Sequence, residues 1–316
     1  MNKAILLTSA LVFNFIACTE KEVPCQEKTW YADLDNDGLG DPNNTYRGCS
    51  APTGYVENAD DDDDKGNQSI IPENGYSTPE SYDNRTLIWS DEFSGDQLDE
   101  NYWNYELGNN GGWGNNELQN YQRGNTEVKD GYLIITAKRE NGSYTSSRLT
   151  TEGKFDFKYG RVDIRAALPR SQGVWPALWM LGANFKQVGW PMCGEIDIME
   201  LIGGSGDGRD NTVHGTVHWD NFGSYANYGG SFTKNSGRFN GEFHVFSIEW
   251  NENEIIWYVD DQQFHVIDTT PSGLTEFQEN FFFIFNVAVG GNWPGDPDSS
   301  TILPQYMIVD YVRVFQ

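Results

Sequence analysis

From Leu87 to the C-terminus, apolar and polar residues alternate or form short runs that are separated by turn residues. Segments typical of strands include YLIITAKRE, GRVDIRAALP, TVHGTVHW and HVFSIEW. Alternation with a period of two places successive side chains on opposite faces of a strand. No long stretch has the period of an amphipathic helix. The pattern predicts an all-β fold, a two-sheet sandwich of the jelly-roll type with a substrate cleft.

Three further segments refine this expectation. HVFSIEWNENEIIWYVDDQQFHVI predicts three strands joined by the turns NEN and DDQQ. The continuous apolar run NFFFIFNVAV predicts a strand that is buried on both faces, and YMIVDYVRVFQ predicts a last strand. Cys193, next to an acidic strand, is interpreted as a small buried hydrophobic residue.

The N-terminal pattern differs from that of the sandwich. Residues 1–18 contain one Lys and an apolar run from Ala4 to Ala17, which is too short to span a bilayer and is typical of a signal peptide. The ending FIAC resembles a bacterial lipobox, which implies a lipid on Cys18, whereas the alternative is an ordinary secretory signal. Both predict export, either as an outer-membrane or cell-surface lipoprotein or in secreted form.

Residues 19–66 are acidic and contain few aliphatic residues, so hydrophobic burial alone cannot fold them. Asp33, Asp35 and Asp37 alternate before Gly38, as in a calcium loop, and the segment resembles thrombospondin type 3-like calcium modules. The alternative is a solvated acidic spacer. In an oxidising compartment, Cys25 and Cys49 are predicted to form the disulfide of this module.

Composition limits the partners and separates the modules. The net charge of −26 argues against nucleic acid as a partner, because phosphate binding requires clusters of Lys and Arg. Aromatic residues make up 14% of the chain, which suggests that some of them line a surface. Residues 67–86 are polar with Pro and Gly and are predicted to be a linker, which leaves 87–316 as the main domain.

The segment GEIDIME places three acids on one strand, Glu195, Asp197 and Glu200. Regular alternation would put Met199, rather than Glu200, on the face of the first two acids. One extra residue, as in a β-bulge, restores Glu200 to that face. The pattern therefore predicts a bulge that aligns three carboxylates in a row.

Such a row suits either metal binding or acid/base chemistry, and no His is interleaved with the acids. Like charges raise one another's pKa values, so one acid can stay protonated while another ionises. Glycoside hydrolysis requires this pair of states. A straight strand would separate the Cα atoms of Glu195 and Glu200 by roughly 16 Å. Retaining chemistry needs carboxyl groups about 5 Å apart, so curvature and the bulge must close the gap.

Tryptophans accompany the acids, and exposed indole rings stack on the apolar faces of sugars. Gly-rich segments that hold some of them suit loops around a long ligand. We expect His218 to lie near the acids, and a core position is the alternative for His214. The predicted substrate-binding residues are Trp113, Asn115, Arg148, Trp175, Trp179, Trp190, His218 and Trp293.

GEIDIME, together with LIWSDEFSG, WGNNELQNY, YGRVDIRAALP, GVWPALWMLG and VHGTVHW, resembles glycoside hydrolase family 16, in its bacterial laminarinase branch. The resemblance runs from about Leu87 to Gln316. It implies a retaining endo-β-1,3-glucanase with Glu195 as nucleophile, Glu200 as acid/base and Asp197 tuning charge between them. It also implies a structural, non-catalytic calcium ion. The implied ligands are oxygens of these residues: Glu92, Gly131 and Asp310.

Three functions remain open at this point. The first is a β-1,3-glucanase acting on laminarin, expected to be a monomer with β-glucan as its partner. The second is a relative that cuts mixed-linkage glucan or a sulfated galactan, for which Arg123 and Arg148 could bind sulfate. The third is a non-catalytic, lipid-anchored glycan-binding protein, which loss of a catalytic acid would have favoured.

Overall fold

A computed structural model of the chain describes residues 26–33, 40–59, 61 and 70–316. The chain divides into two compact units, Met1–Gln68 and Ser69–Gln316. The predictions made for the signal peptide and for four single residues lie outside the described residues. These four residues are Cys18, Cys25, Asp35 and Asp37.

The described part of the first unit contains three antiparallel strands in the order β2-β1-β3. Their bounds are β1 (Lys28–Ala32), β2 (Asp41–Gly48) and β3 (Tyr55–Val56). Two carboxylates, those of Asp33 and Asp61, are buried here together with Ala32. Cys49 is disulfide-bonded. The described part of this unit therefore buries acidic groups rather than an aliphatic core.

One sheet of the second unit has seven described strands in the order β15-β14-β13-β12-β19-β10-β5. The acidic segment forms β13, near the middle of this sheet. The bounds of these strands are β5 (Asn104–Glu106), β10 (Arg148–Thr150), β12 (Val174–Gly182), β13 (Glu195–Glu200), β14 (Thr212–Asp220), β15 (Tyr225–Thr233) and β19 (Phe281–Val289).

The other sheet has ten described strands, and eight of them follow the order β18-β17-β16-β11-β20-β8-β9-β6, while β4 pairs with β20 and β7 with β8. The bounds are β4 (Leu87–Asp91), β6 (Asn120–Tyr121), β7 (Thr126–Lys129), β8 (Tyr132–Glu140), β9 (Ser143–Ser146), β11 (Gly160–Ala167), β16 (His244–Trp250), β17 (Glu254–Val259), β18 (Gln262–Asp268) and β20 (Gln305–Phe315).

Strand β19 shows how the two sheets form one core. All nine of its residues are buried, as the continuous apolar run predicted. Phe283 and Phe285 belong to the main core, whereas Phe282 and Ile284 pack in a second cluster with Cys193 on the other face. The predicted all-β sandwich of jelly-roll type is confirmed, and Cys193 is buried and not disulfide-bonded.

Residues 70–86, predicted to be part of a linker, lie along the ten-stranded sheet. The Tyr76 amide donates to the Phe243 carbonyl at 2.8 Å. The Tyr82 hydroxyl donates to Asp163 Oδ2 at 2.7 Å. These contacts place the segment within the second compact unit, which begins at Ser69.

Helical segments among the described residues are short. They are one α-helical turn at Phe185–Val188 and 3₁₀ turns at Arg123–Asn125 and Thr275–Gln278. No helix in the described part of the chain has the length and apolar character needed to cross a bilayer.

Candidate active site

The register of β13 against β12 locates the predicted bulge. Trp179 of β12 lies opposite Asp197, and the preceding Leu178 lies opposite Met199. One step on β12 therefore corresponds to two steps on β13, and Ile198 is the inserted residue. The prediction of a bulge in this strand is confirmed.

The bulge sorts the side chains of β13 between the two faces of the sheet. Three apolar residues all pack in the core between the sheets, Ile196, Ile198 and Met199. Regular alternation could not place two consecutive residues in that core. The acidic residues are left together on the opposite face of the sheet: Glu195, Asp197 and Glu200.

Glu195 lies at one end of this row and is half-buried. The indole N–H of Trp190 donates to Glu195 Oε2 at 2.9 Å. His218, its register partner on β14, brings Nε2 to 3.7 Å from Glu195 Oε1. Both neighbours favour the ionised carboxylate, since the indole donates a hydrogen bond and the imidazole can turn an N–H toward it.

Glu200 has different neighbours at the other end of the row. The indole N–H of Trp175 donates to Glu200 Oε1 at 3.0 Å. The Trp175 ring meets the Trp293 ring edge-on, with centroids 5.6 Å apart. Trp293 also contacts His214, which lies opposite Glu200 in the register. The neighbours of Glu200 named here are therefore aromatic, and none of them is a lysine or an arginine.

Asp197 lies between them and is buried. Its Oδ2 is 3.0 Å from His218 Nε2. This oxygen nevertheless has no well-aligned hydrogen bond to any described residue. The backbone carbonyl of Asp197, by contrast, accepts a hydrogen bond from the Trp257 indole at 2.8 Å, which anchors the strand.

The three carboxyls titrate abnormally because they are buried and close together. Burial, followed by the charge of Asp197, raises the pKa of Glu195 to about 8. Burial raises the pKa of Asp197 as well. Burial and the charges of both neighbours raise the pKa of Glu200 well above its ordinary range. Because each negative charge raises the pKa of its neighbours, one glutamate can be anionic while the other keeps its proton.

The tryptophans predicted to bind substrate differ in how exposed they are. Trp190 and Trp293 are 47% and 40% exposed. Trp179 and Trp113 are partly buried, and the Arg148 guanidinium lies 4.9 Å and 4.7 Å from their ring centroids. Stacking on sugar is therefore open at Trp190 and Trp293, whereas Arg148 covers one face of each of the other two rings.

The remaining predicted residues join a polar network beside the row. Arg148 pairs with Glu106. The Asn115 amide donates to the buried Glu117 carboxylate at 3.2 Å. The sequence analysis assigned no role to Glu106 or Glu117. The pattern along the chain could not indicate one, because each glutamate is recognised only by the side chain that it contacts in the folded protein.

A family model of glycosyl hydrolases family 16 matches residues 114–313. The chain belongs to this family. The matched range contains the acidic row and most of the sandwich, and family membership confirms the prediction of a glycoside hydrolase.

Individual proteins also resemble this chain in sequence and in structure. The chain is 42% identical to a beta-glucanase of Rhodothermus marinus over 252 residues, covering 73% of this chain and 85% of that protein. The crystal structure of a laminarinase catalytic domain from Thermotoga maritima is 45% identical, with a TM-score of 0.66, and covers 73% of this chain and 98% of that one.

A third relative is longer than the present chain. The clotting factor G alpha subunit of Tachypleus tridentatus is 39% identical over 237 residues. The match covers 73% of this chain but only 34% of that subunit. The family 16 domain therefore also occurs within larger proteins.

Two side chains of the row and His218 also meet the distance requirement for a metal site. Glu195, Asp197 and His218 present atoms that lie within 4.8 Å of one another. The Trp190 N–H donates to Glu195 Oε2, whereas Glu195 Oε1 faces His218. These contacts also suit proton transfer, because His218 can present a hydrogen to the carboxylates.

The residues predicted to bind a structural calcium ion lie in or next to neighbouring strands of the ten-stranded sheet. Strand β20 pairs with β8 up to Val309 and with β4 from Val312, so Asp310 lies where the neighbour changes. Gly131 precedes β8 and Glu92 follows β4. The register thus places the three residues at neighbouring strand positions, and their binding of calcium stays a prediction.

Two of these carboxylates already have cationic partners. Asp310 Oδ2 lies 2.6 Å from Arg165, and the Glu92 carboxylate pairs with Arg313 at 2.8 Å. A calcium ion here would have to share the Asp310 carboxylate with Arg165, and the site stays a prediction.

Sequence reasoning missed two residues of β15 that reach the row from its edge. Tyr225 and Asn227 lie on the same face as His218, and Asn227 is its register partner. The signal was available, because the Gly223 and Ser224 pair after Asp220 is typical of a hairpin turn. Recognising that hairpin would have placed both residues beside the acids.

Proposed function

We propose that this family 16 protein is an endo-acting β-1,3-glucanase that cleaves laminarin with retention of configuration. The bulged row carries the proposal, because it gives Glu195 and Glu200 different surroundings on one face. Glu195 has a hydrogen-bond donor and an imidazole nearby. Burial, followed by the charges of Asp197 and Glu195, raises the pKa of Glu200, which favours its protonated form. Glu195 suits a nucleophile and Glu200 a proton donor.

In the first step, a Glu195 oxygen bonds to the anomeric carbon while the glycosidic C–O bond breaks. The proton of Glu200 moves to the leaving oxygen, and the covalent glycosyl-enzyme forms. In the second step, Glu200 takes a proton from water, whose oxygen bonds to the anomeric carbon and releases Glu195. Asp197 limits the build-up of negative charge in the row by sharing a proton with its neighbours.

Substrate specificity is proposed from the cationic side chains near the cleft. Arg148 pairs with Glu106 and lies against two indole rings. Arg123 pairs with Glu100 at 2.7 Å. Both arginines that could have bound sulfate are engaged with carboxylates, which favours a neutral glucan over a sulfated galactan. A mixed-linkage glucan remains the second candidate, because its sugar units are also uncharged.

Hydrolysis of laminarin, lichenan, agarose and carrageenan, compared by release of reducing ends, tests the proposed specificity. We expect the highest rate on laminarin and a β-anomeric product in the first NMR spectra. Equal or higher rates on lichenan would favour the mixed-linkage alternative. Binding of laminarin without release of reducing ends would favour a non-catalytic glycan-binding protein.

We also propose two calcium sites and an export route. A structural ion would be held by Asp310 with the carbonyls of Glu92 and Gly131, and it would neutralise charge at the sheet edge without entering the reaction. The acidic module would bind a second ion, and burial of Asp33 supports this. Calorimetric titration of a fragment spanning 19–66 tests the module, and no heat of binding would leave the acidic spacer.

Export and anchoring depend on Cys18. Labelled palmitate incorporation in a bacterial host, compared with a Cys18→Ser variant, tests the lipid anchor to the outer membrane. Labelling of both forms, or of neither, would leave plain secretion. Sedimentation at several concentrations tests the proposed monomer.

A further inference from the structure

His218 is placed so that the position of its proton affects the acidic row. Its Nε2 lies 3.0 Å from Asp197 Oδ2 and 3.7 Å from Glu195 Oε1. A hydrogen on Nε2 would stabilise negative charge on both carboxylates, whereas a lone pair there would repel it. The tautomer of His218 therefore bears directly on the ionisation of the proposed nucleophile.

The other ring nitrogen of His218 has a defined partner on β15. The Tyr225 hydroxyl lies 2.8 Å from His218 Nδ1, and the two rings are nearly parallel, at 16°. Asn227 donates its amide N–H to the same hydroxyl oxygen at 3.1 Å. Since this oxygen already accepts a hydrogen bond from the amide, the hydroxyl proton is available for Nδ1.

We propose, on the basis of the proposed glucanase function, that Tyr225 is a positioning residue that holds neutral His218 with its proton on Nε2. Hydrogen bonds run from the Asn227 amide to the Tyr225 hydroxyl and from that hydroxyl to Nδ1, while the hydrogen on Nε2 acts on the nearby carboxylates through its charge. Tyr225 therefore acts on the row through His218 and not through contact with the reacting atoms.

The tautomer of His218 matters because several charged groups lie near it and near the acidic row. The anionic groups near His218 are Glu195, Asp197 and Glu200, and Arg148 contributes positive charge at Glu195. Removal of the Tyr225 hydroxyl would let the proton move to Nδ1 and turn the Nε2 lone pair toward the carboxylates. Ionisation of Glu195 would then become harder, and the chemical step slower.

Tyr225→Phe isolates this effect, because the variant keeps the aromatic ring and removes only the hydroxyl. Tyr228→Phe is a matched control. Tyr228 lies on the same strand and is equally exposed, at 51%. Its ring contacts His265, on the other face of the sheet, with centroids 4.9 Å apart. A general effect of losing a hydroxyl from β15 would appear in both variants.

The first readout is the tautomer itself, measured by ¹⁵N NMR of the imidazoles in the free protein. The chain has 4 His, and a His218→Gln spectrum identifies the signals of His218. We expect Nε2–H in the wild type and in Tyr228→Phe, and a shift toward Nδ1–H in Tyr225→Phe. An Nδ1–H tautomer in the wild type, or an unchanged tautomer in Tyr225→Phe, would overturn the proposal.

The second readout is kinetic. Loss of one hydrogen bond predicts a fall in kcat of roughly fivefold for Tyr225→Phe, with KM nearly unchanged. A rise in KM at constant kcat would instead make Tyr225 a substrate contact and contradict a positioning role. Because the NMR measurement needs no substrate, failure of the proposed glucanase function would be seen separately, as a wild type inactive on every glucan.

Discussion

Asp163 and Asp197 are buried aspartates on the two different sheets, and their surroundings differ in kind. Asp163, on β11 of the ten-stranded sheet, is fully buried. Its Oδ1 accepts hydrogen bonds from Arg161 Nε at 2.8 Å and Ser247 Oγ at 2.7 Å, and its Oδ2 accepts one from Tyr82 at 2.7 Å. A carboxylate with this set of donors stabilises the fold in its ionised form.

Asp197 is 3% exposed, yet its side chain lies between two other acids. Its Oδ2 makes no well-aligned hydrogen bond within the described part of the chain. Among the described residues, Asp163 has a complete set of donors and Asp197 does not. Incomplete satisfaction, rather than burial or charge alone, distinguishes these two aspartates and fits the catalytic role proposed for the acidic row.

Substitutions in the acidic row are expected to have the largest effect, and that effect is on catalysis. Glu195→Gln and Glu200→Gln each remove one of the two functions of the row, and we expect kcat/KM on laminarin to fall about a thousandfold or more. Circular dichroism should show an intact fold in both variants, and glucan binding should persist. Near-normal hydrolysis by either variant would refute the assignment.

A matched change on the other sheet controls for loss of a carboxylate as such. Glu249 pairs with Arg85 at 3.0 Å on the ten-stranded sheet, away from the acidic row. Glu249 also lies 3.3 Å from the buried Arg161. We expect Glu249→Gln to retain hydrolysis within about twofold, because its ion pairs with Arg85 and Arg161 lie outside the acidic row.

The next largest effect is on stability, and it should differ between the two aspartates. Asp163→Asn removes the one fully buried carboxylate that pairs with Arg161 among the described residues. We expect a loss of about 3 kcal/mol in the free energy of unfolding. Asp197→Asn removes a charge that its neighbours disfavour, so no comparable loss is expected. Urea unfolding at pH 7 measures both, and equal losses would contradict the distinction between the two sheets.

The fold was predictable where the pattern was local. The continuous run in β19 and the alternation in β16 and β17 were enough to predict strands. The second hairpin turn is shorter than DDQQ, because Asp260 and Asp261 both adopt positive φ, at 50° and 59°, and Gln262 already belongs to β18. Two aspartates tolerate this conformation, so a two-residue turn was possible but not required by the pattern.

The site was predictable to the extent that one strand encoded it. The spacing of the acids alone predicted the bulge, since no other register places Glu200 beside Glu195. The contacts across strands were not encoded in that way. Tyr225 reaches His218 only through the β14–β15 register, and Tyr82 reaches Asp163 from a segment whose polar composition predicted a linker.

A smaller effect should separate two roles of Trp190, stacking and hydrogen-bond donation to Glu195. Trp190→Ala removes both, and we expect oligosaccharide affinity to fall by about 1–3 kcal/mol. Trp190→Phe keeps an aromatic face and should recover much of the affinity while kcat stays low. Calorimetry with laminari-oligosaccharides in a Glu200→Gln background measures binding without turnover. Unchanged affinity in Trp190→Ala would remove Trp190 from the predicted platform.

The last effect is absent at low pH and grows as pH rises. Burial raises the pKa of Glu200 in the folded protein above its ordinary value of 4.5. Below pH 4.5 both folded and unfolded chains hold this proton, and Glu200 costs no stability. Above that pH the unfolded chain releases the proton more readily, so wild-type stability declines until the folded pKa is reached. Glu200→Gln cannot ionise, so it should melt near the wild-type temperature at pH 4 and above it at pH 8. Glu249→Gln, whose carboxylate is paired, should show no such gain at pH 8. A wild type more stable than Glu200→Gln at pH 8 would mean that the row is satisfied, as Asp163 is.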